Sequence, residues 1–249
     1  MTAEVIILAQ GTQQRLGMQH GYKQLLPLPA CGVGILHRTL CQLSIFCPSV
    51  QVTLVGWSQV TSELASLAFP FGVRQVELAD PGNSSLKGIA RYLEARGKSH
   101  SVHHTIVLLG DVVYSWAALA AIWSASAAYG FVGTSNLSES AGELWGVGWS
   151  KVHEDAVMGE LGDALLRHPP FDDEYQPGQL RRWLMGWRRG SLQDRLIKLV
   201  FSGVYQGIDD YTMDVDLPEH IPLLEGASAL AAKDDAAHGL LWRTNRGLP

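Results

Sequence analysis

No apolar run in this chain approaches the roughly twenty residues that cross a bilayer. The N-terminus lacks the basic start and long apolar stretch of a secretory leader, since Glu4 and Gln10 bound a run too short for one. The expectation is a cytoplasmic protein with no membrane partner. Cysteine is scarce: Cys31, Cys41 and Cys47 have no metal-ligand spacing and read as reduced, mostly buried thiols, a disulfide being the minor reading. A basic surplus is missing, because 19 Lys and Arg stand against 24 Asp and Glu for a formal charge of −5. That balance excludes nonspecific nucleic-acid binding. Several catalytic patterns are also absent. There is no Walker A loop, no Gly-x-Ser-x-Gly elbow and no Cys–His nucleophile pattern, and the nine histidines, His103-His104 among them, show no metal-ligand spacing. No internal repeat or low-complexity linker interrupts the 249 residues, a length that serves one sizeable domain with a real core.

What is present is an alternation of strands and helices. Residues 5–9 form a short, β-branched apolar run suited to a buried parallel strand. Residues 33–47 carry Val33, Leu36, Leu40, Leu43 and Phe46 at helical spacing, with Pro48 as the stop. Strands are expected over 50–55, 73–78 and 105–109, with a helix from Ser58 to about Leu67, a second ending near Arg96 and an alanine-rich third over 117–128. The fold class is therefore α/β, a mostly parallel twisted sheet with helices on both faces. The second half is less regular. Five tryptophans fall between 116 and 183; a strand is expected over 144–149, helices over 153–167, 179–189 and 192–201, a short strand over 211–216, a helix starting at Leu217-Pro218-Glu219 with proline in its first turn, and an alanine-rich, then polar, tail from 226 that suits a terminal helix. We read one domain: residues 1–133 as a nucleotide-binding half, 134–225 as an acceptor-binding half, and 226–249 as the tail.

The stretch after the first strand carries the chemistry. Gly11 and Gly17 bracket a polar loop whose backbone N–H groups can face an anion, and Arg15 and Lys23 add two cations. A strand end, exposed amides and paired positive charge suit a phosphate.

The run Ala9-Gln10-Gly11-Thr12-Gln13-Gln14-Arg15-Leu16-Gly17, followed by Lys23-Gln24-Leu25-Leu26-Pro27, resembles the signature of nucleotidyltransferases with a Rossmann-like, glycosyltransferase-A-type core. The matching positions are Gly11, Arg15, Gly17, Lys23 and Leu25. Gln10 and Gln13 replace two family glycines, and Tyr22 replaces a proline; a glycine would allow φ > 0 and a close approach of backbone to ligand. The resemblance implies transfer of a nucleoside monophosphate from a nucleoside triphosphate to a small phosphorylated acceptor, with Mg²⁺ as cofactor and pyrophosphate as product. It implies that Leu8, Ala9, Gln10, Gly11 and Thr12 contact the nucleotide. Arg15 would hold the β- and γ-phosphates, and Lys23 the α-phosphate and acceptor phosphate.

Two acidic segments complete the pattern. Asp111 ends an apolar strand, where ligands of open parallel sheets bind, and Leu108-Leu109-Gly110-Asp111 resembles the family's metal motif. The plainer reading of Asp111 is an N-cap for the helix starting near Ser115. Asp214-Val215-Asp216-Leu217-Pro218-Glu219 resembles the family's second acidic segment, with Leu217 in place of a threonine and His220 in place of the last acid. On a strand, Asp214 and Asp216 share a face, so either could ligate the metal; a helix-capping cluster is the compatible alternative. Asn83, Ser84 and Ser85 resemble a loop that meets base and ribose, and are equally good N-cap residues. Glu143, Trp145 and Arg181 are candidates for the acceptor, against the plainer reading of a packed aromatic cluster and a solvated face.

The expectation is a nucleotidyltransferase acting on a sugar 1-phosphate, phospho-alcohol or phosphonate, with CTP slightly favoured because the chain is short and carries no C-terminal repeat domain. Its partners are the nucleoside triphosphate and the phosphorylated acceptor, and a homodimer is left open. The alternatives are a non-catalytic nucleotide- or sugar-phosphate-binding protein, which the glutamines at 10 and 13 favour, and a glycosyltransferase of the same core, which the lone Asp111 disfavours.

Overall fold

The computed structural model describes residues 2–9, 22–56, 58–65, 67–77, 92–93, 96, 101–134, 144–157, 205–215 and 220–242. Its strands are β1 (Ala3–Ala9), β2 (Gln51–Gly56), β3 (Val73–Glu77), β4 (His104–Leu109), β5 (Val112–Val113), β6 (Tyr129–Thr134), β7 (Leu144–Ser150), β8 (Tyr205–Ile208) and β9 (Met213–Asp214). The α-helices are α1 (Ile35–Phe46), α2 (Ser58–Ala65), α3 (Trp116–Ala125) and α4 (His220–Ala237).

Seven strands form one sheet in the order β3-β2-β1-β4-β7-β6-β8. β1 is parallel to both β2 and β4, β2 to β3 and β6 to β8, whereas β7 runs antiparallel to β4 and β6. The mostly parallel sheet is as expected, and the reversal of β7 makes it mixed. β1 is buried along its whole length, which is why residues 5–9 are a continuous apolar run rather than an alternating one. Ala3, Val5, Ile7 and Ala9 enter a large core with Leu36, Leu40 and Leu43 of α1 and Leu119 and Ile122 of α3.

The other face of β1 begins with a buried charge. The Glu4 carboxylate accepts hydrogen bonds from Tyr92, Arg96 and, at 2.8 Å, the Thr53 hydroxyl. Arg96 also pairs with Glu154, which accepts from Trp149 Nε1 at 2.7 Å. These polar groups bond one another at the N-terminal end of the sheet, far along the strands from the crevice end, with Arg96 Nε left without a partner.

The chain leaves β1 towards β2 on one side, while β4 lies on the other. That divergence opens a crevice at the carboxyl ends of β1 and β4, where such sheets hold ligands. The strands converge tightly there. A Cβ added to Gly110 would lie 2.7 Å from the Leu8 carbonyl oxygen, and the Gly110 N–H bonds that oxygen at 2.8 Å.

A second, two-stranded sheet stands at this end: β5 pairs antiparallel with β9, in the register Val112↔Asp214 and Val113↔Met213. The sequence reading extended the last strand to 216, whereas the described strand is the pair Met213–Asp214. The helix expected from Leu217-Pro218-Glu219 and the terminal helix expected in the alanine-rich tail form one 18-residue helix, α4, over His220–Ala237. No helix among the described residues is long and apolar enough to cross a membrane.

Candidate active site

Lys23 opens a single turn of 3₁₀ helix, Lys23–Leu25, that follows the expected phosphate loop. Its side chain is not a solvated surface cation. Lys23 is only 5% exposed, and its Nζ lies 3.4 Å from Asp111 Oδ2. An ammonium withdrawn from water needs an anion, and Asp111 supplies one.

Asp111 sits in the two-residue turn between β4 and β5. It does not cap the helix that follows. Ser115 is the N-cap of α3, its Oγ accepting from the Ala118 N–H at 2.8 Å. Asp111 is thereby left facing the crevice. The pairing of β5 with β9 brings Asp214 opposite Val112, the neighbour of Asp111. The side chains of Asp111 and Asp214 are 16% and 17% exposed, so a ligand can reach both. Asp214 also lies 4.0 Å from His220 Nδ1 at the start of α4.

Tyr114 fastens this turn. Its fully buried hydroxyl accepts from the Leu109 N–H at 2.8 Å and donates to the Trp145 carbonyl at 2.6 Å. Burial pushes its pKa well above the ordinary tyrosine value, and the charges of Asp111 and Asp214 push it further. Both carboxylates therefore act on one point, and Tyr114 is fixed as a neutral hydroxyl.

Gln24 is a residue whose position sequence reading did not anticipate. It is fully buried against Gly110, its Cγ 3.2 Å from where a Cβ on that glycine would stand. Neither end of its carboxamide has a hydrogen-bond partner. In the sequence it stands between Lys23 and the apolar run Leu25-Leu26-Pro27-Leu28, a place with no signal of burial. Arg38 was missed as well. It lies inside α1 and is 1% exposed, with its Nη1 2.6 Å from the Tyr114 carbonyl oxygen.

The structure thus brings Lys23, Asp111 and Asp214 to one end of the sheet, beside the carboxyl end of β1. Leu8 and Ala9 are there too, both buried. Trp145 is packed into the main core, 4% exposed, with its indole Nε1 unpartnered. Gln10, Gly11, Thr12, Arg15, Asn83, Ser84, Ser85, Glu143, Arg181 and Asp216 lie outside the described residues.

The profile of the MobA-like NTP transferase domain matches residues 5–149. Comparison with curated protein sequences gives no match. Among solved structures, the chain is similar to a Bacillus anthracis protein assigned as a glucose-1-phosphate thymidylyltransferase, with 15% identity, a TM-score of 0.56, and coverage of 92% of this chain and 95% of that one. It is similar to the 4-diphosphocytidyl-2C-methyl-D-erythritol synthase of Anaerococcus prevotii, with 12% identity, a TM-score of 0.57, and coverage of 90% and 94%. It is also similar to the inositol-1-phosphate CTP transferase of T. maritima, with 14% identity, a TM-score of 0.53, and coverage of 93% and 96%.

Proposed function

The chain belongs to the MobA-like NTP transferase family and is a nucleotidyltransferase, and from that premise we propose that it transfers a nucleoside monophosphate, cytidylate first, to a small phosphorylated acceptor, with Mg²⁺ at Asp111 and Asp214. The observation that carries this reading is the buried Lys23–Asp111 pair beside Asp214, at the crevice between β1 and β4.

The donor set suits the metal. Mg²⁺ takes hard oxygen ligands, binds through one or two carboxylates, and fills its remaining positions with water and substrate phosphates. Asp111 and Asp214 supply carboxylates on adjoining segments. Bound there, Mg²⁺ neutralises triphosphate charge.

The chain's own groups do the rest by position. A phosphate oxygen of the acceptor attacks the α-phosphorus, a new P–O bond forms, and the bond from the α-phosphorus to the bridging oxygen breaks, so pyrophosphate leaves. Two anions must meet, and Lys23 is held where it can balance their charge. Its ammonium carries no proton to the reaction; it orients and attracts. Arg15 would act likewise on the leaving phosphates. Gly110 lets β4 approach β1, and Tyr114 holds the turn that presents Asp111.

Two of the three similar structures are named for cytidylyl or CTP chemistry, so CTP is the donor to test first. We place the enzyme in the cytoplasm, on its three reduced cysteines. The test is pyrophosphate release from each of four nucleoside triphosphates, with Mg²⁺ and a panel of sugar 1-phosphates, phospho-alcohols and phosphonates. Release with CTP and one acceptor class is expected. Release with another triphosphate alone overturns the cytidylyl assignment, and release that persists in EDTA overturns the metal assignment.

A further inference from the structure

β5 and β9 are two residues each, and they carry or adjoin both carboxylates. A ribbon that short has too few ladder hydrogen bonds to hold its own geometry. Something at its base must hold it, and one guanidinium does.

Arg38 of α1 uses every donor it has. Its Nε and Nη2 bond the two oxygens of Asp235 of α4 at 2.8 and 2.7 Å. Its Nη1 bonds the Tyr114 carbonyl at 2.6 Å and Gln42 Oε1 at 3.2 Å. Its Nη2 also reaches the Tyr211 hydroxyl at 3.4 Å. Tyr114 directly follows β5 and Tyr211 shortly precedes β9, so the same planar group touches both arms of the ribbon at the end away from Asp111 and Asp214. The arms are tied to each other there as well, since the Ser115 N–H donates to the Thr212 hydroxyl at 3.0 Å.

Asp235, in turn, is fully buried and fully used. Besides the fork from Arg38 it accepts from Trp116 Nε1 at 3.0 Å and Trp242 Nε1 at 2.8 Å. Its neighbour Asp234 accepts from the Tyr211 hydroxyl at 2.5 Å and the Trp116 N–H at 3.2 Å. Burying such a pair gains little stability over an apolar pair of the same volume. What the ionic pair adds is direction: a rigid fork with five donors in one plane.

We propose that Arg38, held by Asp235, is a positioning residue for nucleotidyl transfer, fixing the β5–β9 ribbon so that Asp111 and Asp214 converge on one metal ion. Helix α4 is then part of the active-site scaffold. This inference rests on the reading of Asp111 and Asp214 as a metal pair. Lysine at position 38 keeps the charge but offers a single nitrogen, which cannot bond both arms and Asp235 in one plane.

The test uses the full chain and reads Mn²⁺ binding directly by electron paramagnetic resonance, with CTP absent and present, alongside thermal melting. The variants are Arg38→Lys, Tyr211→Phe and, as a remote destabilised control, Leu64→Ala in α2. Arg38→Lys is expected to weaken Mn²⁺ binding by about tenfold or more at a temperature where circular dichroism shows it folded, the scale of losing an outer-shell partner. Tyr211→Phe, which leaves the charges in place, is expected to weaken it by less; should Arg38→Lys fail to fold, Tyr211→Phe decides. Leu64→Ala is expected to melt earlier with Mn²⁺ affinity unchanged. Both ribbon variants binding like the parent, or Leu64→Ala losing affinity as they do, overturns the positioning role while leaving the metal pair standing. A parent chain that binds no Mn²⁺ in either condition overturns the metal pair, and the inference with it.

Discussion

A lysine ammonium almost wholly withdrawn from water is costly unless an anion accompanies it. Lys23 has Asp111 at 3.4 Å, so the two hold each other ready at the crevice. Replacing Lys23 by alanine should leave the circular dichroism spectrum intact and cut pyrophosphate release by about a hundredfold, the scale of losing one charge-stabilising group. Unchanged turnover would make Lys23 a structural partner of Asp111 and nothing more. His37 carries a second prediction. Its ring is edge-on to Phe69 and Trp242, at centroid distances of 6.1 and 6.4 Å, with its Nε2 unpartnered. Burial lowers its pKa below the usual 6.5, so the unfolded chain takes up the proton first as pH falls. The stability that neutral His37 contributes is present above about pH 6.5 and is lost as pH drops through its folded pKa. His37→Phe should therefore lose less melting temperature than the parent between about pH 7 and pH 5. Equal slopes in the two melting curves would refute it.

Elements were legible in sequence where burial made their pattern one-sided. Residues 5–9 of β1 and 106–108 of β4 are continuous apolar runs because the sheet buries both of their faces, and α1 shows a helical stripe in Leu36, Leu40 and Leu43, which enter the main core. β6 escaped because Gly130 and Gly133 break its apolar run, and β8 because Gln206 and Gly207 do the same. The reversal of β7 had no local signal, since parallel and antiparallel strands share one side-chain period. Lys23 and Asp111 were legible as a motif, whereas Arg38 was not, because a charge inside an amphipathic helix reads as its solvent face. Gly110 joins the two kinds of information: it precedes the expected metal carboxylate, and its role is steric. A Cβ there would stand 2.7 Å from the Leu8 carbonyl oxygen and 3.3 Å from Ala9 Cα, backbone that cannot yield without spreading β1 from β4. Gly110→Ala should destabilise by about 1–3 kcal/mol, the usual range for overpacking, and should lower kcat more than this loss explains, because the displaced atom carries Asp111. A variant with parental kcat and parental melting temperature would show that the turn adapts.

At the scale of the molecule, stability and chemistry occupy opposite ends of the same strands. The crevice end holds an ammonium, two carboxylates and the Gln24 carboxamide, the last without a hydrogen-bond partner where a ligand is to arrive. The other end holds charges that pair with one another: Arg96 stands between Glu4 and Glu154, and Glu4 is also met by Tyr92 and Thr53. Glu4 lies at the start of β1 and Ala9 at its finish, so the length of the strand separates the two networks. Removing Arg96 would strand Glu4, fully buried, without its cation. Breaking a buried pair from one side costs about 3–5 kcal/mol. At about 2–4 °C per kcal/mol for a chain of this size, Arg96→Ala should melt roughly 6–20 °C below the parent. Well below the melting transition, kcat and the nucleoside triphosphate KM should match those of the parent, because among the described residues the partners of Arg96, namely Glu4, Thr105 and Glu154, all lie at the far end of the sheet. A fall in kcat for folded Arg96→Ala would mean that the two ends of the sheet are coupled, and that the polar row beneath β1 serves the reaction as well as the fold.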